Sequence, residues 1–374
     1  MSIEKYFIEG GIQGPFSTRE DMEKMSLHAV NSGAHELYIT GGEQPYLLHG
    51  KDMWPMAPRT ISISEIKDAV RSTFGDRRLQ GVLGGQPQDF AWEVSTGRNS
   101  SERFRVNISS GYRYGSSIGI VLRAIPSVIP TVTDLGIPEE LVKFNLNVER
   151  GAVFMAGVTG SGKSTTIASL IKDRIMRGGR CEKVYTAESP VEFLHTYETT
   201  LPCTVLQAEI GPDIDTFSGS VRNILRRNTT LFLLGETRDA VTVEALLRAA
   251  VVGPLVYTTC HANSVSKAIP RLIGEFPNAE RDAALSLIIA GSRLFCAQTL
   301  LRRKGGGMIA CHEYLEVTEE VRMILDKSNQ ETVEQVVKSV LATHGVPMLT
   351  SAKQHYEAGL ITEKEYEMVC REYQ

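Results

Sequence analysis

No stretch of the chain approaches the roughly 18 consecutive apolar residues needed to cross a bilayer. The opening, Met1-Ser2-Ile3-Glu4-Lys5-Tyr6, lacks the basic start and long apolar run of a secretory signal. Cysteine is sparse and scattered: Cys181, Cys203, Cys260, Cys296, Cys311 and Cys370 form no C-x-x-C pair. Neither a disulfide framework nor a structural zinc site is expected, and the thiols read as reduced. An excess of one charge is also missing. Lys and Arg total 40 against 44 Asp and Glu, a formal net charge of −4. That removes the broad basic footprint of a non-specific DNA binder or of a protein held on an anionic membrane, though not a local basic patch. No cluster of base-stacking aromatics accompanies a basic stripe. The absences together describe a soluble intracellular protein.

What is present suggests more than one domain, since 374 residues exceed the roughly 100–200 of a typical one. Residues 1–25 are read as an N-terminal extension punctuated by Gly10-Gly11 and Gly14-Pro15, with a helical stretch from Asp21 to Val30. Residues 26–128 mix a short strand at Glu36 to Thr40 and a helix after Ser62-Ile63-Ser64-Glu65 with strand runs at Asp89 to Val94, Arg103 to Ile108 and Ser117 to Ala124. That is an α+β pattern. Three prolines between Pro126 and Pro138 mark a linker, placed at 129–145. From 146 to 374 the pattern becomes α/β: continuous apolar runs at Ala152 to Ala156, Val184 to Ala187, Leu231 to Leu234 and Leu255 to Thr259 alternate with helices. Such runs build a parallel sheet covered on both faces. Beyond Val317 the signal is helical only. Arg302-Arg303-Lys304 followed by Gly305-Gly306-Gly307 reads as a solvated basic turn rather than a nucleic-acid contact.

Gly157-Val158-Thr159-Gly160-Ser161-Gly162-Lys163-Ser164 matches G-x-x-x-x-G-K-[ST] in full, and Thr165 follows it. In such a loop, glycines let backbone N–H groups converge on phosphate oxygens, the lysine reaches the β- and γ-phosphates, and the serine hydroxyl binds Mg²⁺. An apolar strand precedes the loop, and a helix with Ile167, Leu170 and Ile171 on one face follows it. The helix therefore aims its positive end at the phosphates. The expected ligands are ATP and Mg²⁺.

Phosphoryl transfer also needs an acid that holds the metal or orients water. Two strand tips supply one. Glu188 precedes Ser189-Pro190, where the proline ends the strand, and Glu236 follows the apolar run 231–234 and Gly235. A third polar tip is Thr259-Cys260-His261. Open α/β sheets bind ligands at such carboxyl ends. Glu188 is expected to project over the sheet edge rather than into the core and to activate water, with Glu236 beside Ser164 in the metal shell. The residues leave the reverse assignment open.

These blocks, in this order, resemble the secretion ATPases of the PilT/GspE superfamily, most closely the DotB/TraJ-like ATPases of type IVB secretion and conjugation. Glu188-Ser189-Pro190-Val191-Glu192-Phe193 is similar to the aspartate box of that superfamily, Gly235-Glu236-Thr237-Arg238-Asp239 to its atypical Walker B motif, and Gly253 to Asn263 to its histidine box. Ser189 replaces the usual aspartate, and Pro254 replaces the first histidine, which leaves His261 as a candidate γ-phosphate sensor. The resemblance implies a PAS-like first domain, a RecA-like core, and a homo-hexameric ring with ATP at subunit boundaries. It further implies that Arg105 and Arg123 reach ATP and that a hinge at 126–138 closes during hydrolysis. The implied partners are inner-membrane secretion or pilus proteins, which hold a cytoplasmic ATPase at the membrane. A pilus retraction ATPase, a nucleic-acid motor and a nucleotide-sensing scaffold without turnover are the competing readings; net charge opposes the motor.

Overall fold

The computed structural model describes Phe7 and residues 14–49, 52–98, 100–112, 115–126, 128–197, 199, 201–237 and 239–373. The chain divides into two compact units, Met1–Ser127 and Val128–Gln374.

In the first unit, helix α1 (Arg19–Asn31) leads into strands β1 (Glu36–Thr40), β2 (Tyr46–His49) and β3 (Asp52–Pro55). Helices α2 (Ile63–Phe74) and α3 (Asp76–Leu83) follow, then β4 (Gln88–Gly97), β5 (Ser100–Tyr112) and β6 (Ser116–Ile125). The strands make one sheet in the order β3-β2-β1-β6-β5-β4, antiparallel throughout. Alternation decides its faces. Phe104, Val106, Ile108, Ile118, Ile120 and Leu122 point into the core with Ile66 and Val70 of α2, while Arg105, Asn107 and Arg123 point away from it. Both α1 and α2 open with a capping box, Thr18 with Asp21 and Ser62 with Glu65, which satisfies end donors and fixes where each helix starts. Helix α1 runs through the 25/26 boundary expected from sequence. Phe16, Met22 and Met25 are buried in the core of this unit, so residues from Phe16 onward belong to it. The glycines Gly10-Gly11 lie outside the described residues.

The second unit begins with α4 (Glu139–Asn147), β7 (Gly151–Ala156), α5 (Lys163–Arg177), β8 (Lys183–Glu188) and β9 (Thr204–Glu209). It continues through α6 (Phe217–Arg226), β10 (Leu231–Leu234), α7 (Ala240–Val252), β11 (Leu255–Cys260), α8 (Val265–Ile273) and α9 (Arg281–Gly291). A hairpin of β12 (Ser292–Arg302) and β13 (Met308–Glu316) precedes α10 (Glu319–Leu325), α11 (Val333–His344), α12 (Met348–Glu357) and α13 (Glu363–Tyr373). The sheet order is β13-β12-β7-β11-β10-β8-β9, parallel except for the β12–β13 pair. Strands β7, β10 and β11 are buried along their whole length, as a sheet with both faces covered requires. Gly305 to Gly307 turn the hairpin: all three have positive φ, a backbone that favours glycine.

The expected linker is not a tether. Val132, Ile137, Leu141 and Val142 are buried in the core of the second unit, and Ile129 packs with Ala168 and Phe193. Its prolines mislead because Pro138 sits at the start of α4, where a missing N–H costs nothing. Asn145 of α4 donates to Leu170 O at 2.9 Å and accepts from Tyr257 Oη at 2.6 Å. The segment therefore moves with the sheet, and a hinge spanning 126–138 has no free chain at its second half.

Beneath this junction lies a buried ion pair. Arg174 Nε meets Glu182 Oε1 at 2.7 Å with both side chains almost fully enclosed, and the guanidinium also donates to the carbonyls of Asn145 and Val148. Removing one member of such a pair leaves a buried charge unanswered, a loss of about 3–5 kcal/mol. Glu182→Leu should therefore lower the urea midpoint of the second unit strongly. Arg174→Met combined with Glu182→Leu should recover much of that loss, which equilibrium unfolding of the two variants will check.

Candidate active site

The turn after β7 cannot carry ordinary residues at its key glycines. A Cβ on Gly157 would stand 2.4 Å from Ser161 Oγ and 2.7 Å from Gln298 O, and one on Gly162 would meet Gln298 Nε2 at 2.9 Å. Gly162 adopts φ 84°, ψ 15° and starts α5 with no side-chain cap. Helices α6, α7, α8 and α10 carry a Thr, Asp, Ser or Thr cap; α4, α9, α11 and α12 lack one, but none of them starts on a left-handed glycine. The first N–H groups of α5 thus remain available to an anion, on the positive end of the helix. Lys163 is buried, and its Nζ donates to Gly157 O at 2.8 Å and Val158 O at 2.9 Å. Burial pulls its pKa below the usual lysine value, against the pull of nearby Cys260, Glu192 and Glu236. This cradle fits a phosphate chain. Ser164 and the neighbouring carboxylates are oxygen donors of the kind Mg²⁺ takes.

The three polar tips gather here because β7, β8, β10 and β11 are parallel and end on the same side. Glu188 closes β8, Glu236 follows β10, and His261 follows β11. Gly235 donates to Ala187 O at 2.8 Å, and a Cβ on it would press on the Glu188 backbone at 3.3 Å. Glycine lets the two acidic tips lie side by side. Glu188 is buried rather than projecting over the sheet edge, a correction to the sequence expectation. The carboxylate accepts from Thr186 Oγ1 at 2.7 Å, two residues back on the same face of β8, and from Glu192 N at 3.4 Å. It still faces reactive space. Glu188, Ser164, His195 and Thr259 line a cavity of about 20 Å³, room for one water. Burial raises the Glu188 carboxyl to about 7, and the hydrogen bonds from Thr186 and Glu192 only partly offset it. Glu236 is more open and stands 3.7 Å from His261 Nε2, itself largely exposed. The two acids therefore differ in environment, one dry and held, the other wet and paired.

Arg105 and Arg123 lie in the first unit, directly opposite each other on β5 and β6. Arg105 pairs with Asp89 through Nε at 3.1 Å and Nη2 at 2.6 Å, and Arg123 Nε meets Glu36 Oε1 at 2.7 Å. Arg238 of the Walker B-like block lies outside the described residues. The structure adds residues that sequence reasoning missed. His195 is buried beside Glu188 and its Nδ1 is 2.5 Å from Tyr197 Oη; it stands on an irregular segment with no periodicity to flag it. Burial drops its pKa to about 4, so the ring is neutral. Lys267 and Arg271 of α8 line a second cleft with Thr159 and His261, and their i, i+4 spacing on one helix face was the available signal.

Residues 20–367 match the family described as Type II/IV secretion system protein. The type IV pilus retraction ATPase PilT of Pseudomonas aeruginosa is 28% identical over 330 residues, 88% of this chain and 91% of that protein. The ATPase DotB of Legionella pneumophila superposes with a TM-score of 0.82 at 33% identity, covering 95% of this chain and 96% of that one. The pilus retraction motor PilT with bound ADP gives 0.80 at 27% identity, covering 93% and 96%. The parallel-sheet unit is accordingly a RecA-like ATPase core, preceded by a smaller α+β domain. With the phosphate cradle, the ordered acidic tips and this agreement over nearly the whole chain, the protein belongs to the Type II/IV secretion system protein family.

Proposed function

We propose that this protein is an ATP-hydrolysing traffic ATPase that powers a type IVB-like secretion or conjugation apparatus as a homo-hexameric ring. One observation carries the enzymatic part: a desolvated, hydrogen-bonded Glu188 shares a one-water cavity with Ser164 beside an uncapped phosphate-binding helix. In the reaction, the amides of residues 157–165 and Lys163 bind the phosphates. Glu188 takes the proton of the attacking water, a role suited by a pKa near the working pH. Ser164 and Glu236 would hold Mg²⁺, which when bound offsets charge on the β- and γ-oxygens. His261 keeps its γ-phosphate-sensing role on the strength of the resemblance, and its 3.7 Å distance from Glu236 supports an action through that carboxylate.

Arg105 and Arg123 keep their phosphate-contacting role on the strength of the resemblance. The Arg105–Asp89 pair is exposed on both sides and hence weak enough to exchange for phosphate, whereas Arg123 pairs with a buried Glu36 and would leave that carboxylate unanswered on moving away. No helix among the described residues is long and apolar enough to cross a membrane. In the proposed reading, attachment to the inner membrane from the cytoplasmic side falls to the proteins of the apparatus. The likeness to PilT over most of both chains favours a second reading, pilus retraction. Co-purification from cells carrying one apparatus or the other separates the two.

Glu188→Gln should bind ATP about normally yet turn over at least ~100-fold more slowly, while Lys163→Ala should lose much of the binding itself. Single-turnover assays beside an equilibrium titration check both; collapse in Glu236→Gln with near-normal Glu188→Gln would exchange the two roles. Light scattering with ATP and Mg²⁺ should give a mass near six chains, and a persistent monomer would contradict the ring.

The buried carboxyl also makes a stability prediction for the nucleotide-free protein. Its folded pKa lies above the unfolded value, so the native state binds more protons between about pH 4.5 and 7 and loses stability as pH rises through that window. Glu188→Gln removes the loss, which amounts to about 3 kcal/mol at most. The variant should match the wild type near pH 4.5 and melt at higher temperature at pH 8. Equal melting temperatures at pH 8 would show that Glu188 is solvated.

A further inference from the structure

The hairpin β12–β13 brings Gln298 and His312 face to face as register partners, and both are almost completely buried. Gln298 touches the phosphate loop on its inner side. Its Nε2 donates to Ser161 O at 2.7 Å. A carbonyl can only accept, so this bond fixes the amide orientation and turns Oε1 the other way. There Oε1 accepts from Thr166 Oγ1 at 2.8 Å and lies 3.1 Å from His312 Nε2. An amide oxygen cannot donate, so Nε2 of His312 carries the proton. Every polar atom of the Gln298 side chain is thereby engaged, between the phosphate loop, α5 and β13.

The chain of contacts continues outward. The backbone N–H of His312 donates to Ser351 Oγ at 3.3 Å, the Cys311 thiol to Met348 O at 3.7 Å, and His355 Nε2 lies 3.0 Å from Ala310 O. Three consecutive residues of β13 are thus stitched to α12. Burial, with His355 nearby, keeps the His312 imidazole neutral, and a neutral ring tolerates this enclosed position.

We propose that Gln298 and His312 are positioning residues for nucleotide binding: together they hold the phosphate loop in its binding shape from behind, with α12 as their outer support. This rests on the reading of residues 157–165 as the seat of ATP. The glycines explain why the strut must be this close. Gly157 approaches the Gln298 carbonyl and Gly162 the Gln298 amide nitrogen to distances that admit no side chain, so the loop lies directly against this residue. Neither residue reaches the reacting atoms; both act through the position of Ser161 and its neighbours.

The test is a titration of full-length protein with a fluorescent ATP analogue, beside steady-state kinetics. His312→Leu should weaken binding and raise KM by about three- to tenfold, the scale of a lost buried hydrogen bond, with kcat less affected. His312→Gln, which can offer an N–H at a similar reach, should restore affinity to within about twofold of wild type. Gln298→Leu should weaken binding by at least as much as His312→Leu, and the double variant should be no worse than the poorer single one, since one network is broken. Thr166→Val removes one contact at constant volume and serves if His312→Leu does not fold; it should show the same change of sign on a smaller scale. Wild-type affinity in His312→Leu or in Thr166→Val, a His312→Gln as defective as His312→Leu, or independent additive effects would each overturn the inference. A wild type that binds no ATP would instead overturn the reading of the loop, and this inference with it.

Discussion

A phosphate chain has to be met by backbone N–H groups that nothing else has satisfied, and most of the second unit serves that requirement. It explains why α5 alone among the helices flanking the site begins on a left-handed glycine without a side-chain cap. It also explains why the strand before it is apolar on both faces: the loop must be held from beneath by a rigid sheet, not by groups that compete for its donors. The cost of leaving helix-end donors open is borne by a structure stabilised elsewhere, through the apolar layers on either side of the sheet.

The same sheet sets the chemistry of the acids. Parallel strands deliver their tips to one edge, but the tips do not share one environment. Glu188 lies in the strand itself and is tied to Thr186, whereas Glu236 lies past the strand end, after a glycine. Two carboxylates of identical chemistry thus sit in different surroundings, one enclosed and one more open, because one ends its strand and the other lies two residues beyond its own. Environment, more than residue type, separates acid and base roles in such sites.

The phosphate loop and the three polar tips were legible in the sequence because each follows a continuous apolar run and is marked by Gly, Pro or a change to polar residues. Strands β9, β12 and β13 were not. Strand β9 is an edge strand with alternating exposure, and β12 follows α9 with no intervening turn. Strand β13 buries His312 and Glu313, residues whose type argues for a surface. Missing that hairpin hides Gln298. The prolines of 126–138 read as a tether because composition cannot distinguish chain that is free from chain laid against a core. In the first unit, the Ser62–Glu65 cap and the alternating runs of β1, β4, β5 and β6 are plain, whereas the short β2, β3 and α3 escape a sequence reading; the 25/26 boundary fails because Phe16, Met22 and Met25 are few and widely spaced.

The resting place of Lys163 bears on how an anion would meet it. Its ammonium, already out of bulk water, is solvated by the Gly157 and Val158 carbonyls of its own loop. A ligand entering the cradle does not meet a bare charge. It must displace two aligned carbonyl dipoles from a cation that burial already holds below its usual pKa. The loop's own carbonyls thus stand in for part of the counter-charge that an anion in the cradle would supply, and they keep the lysine folded against the loop instead of extended into solvent.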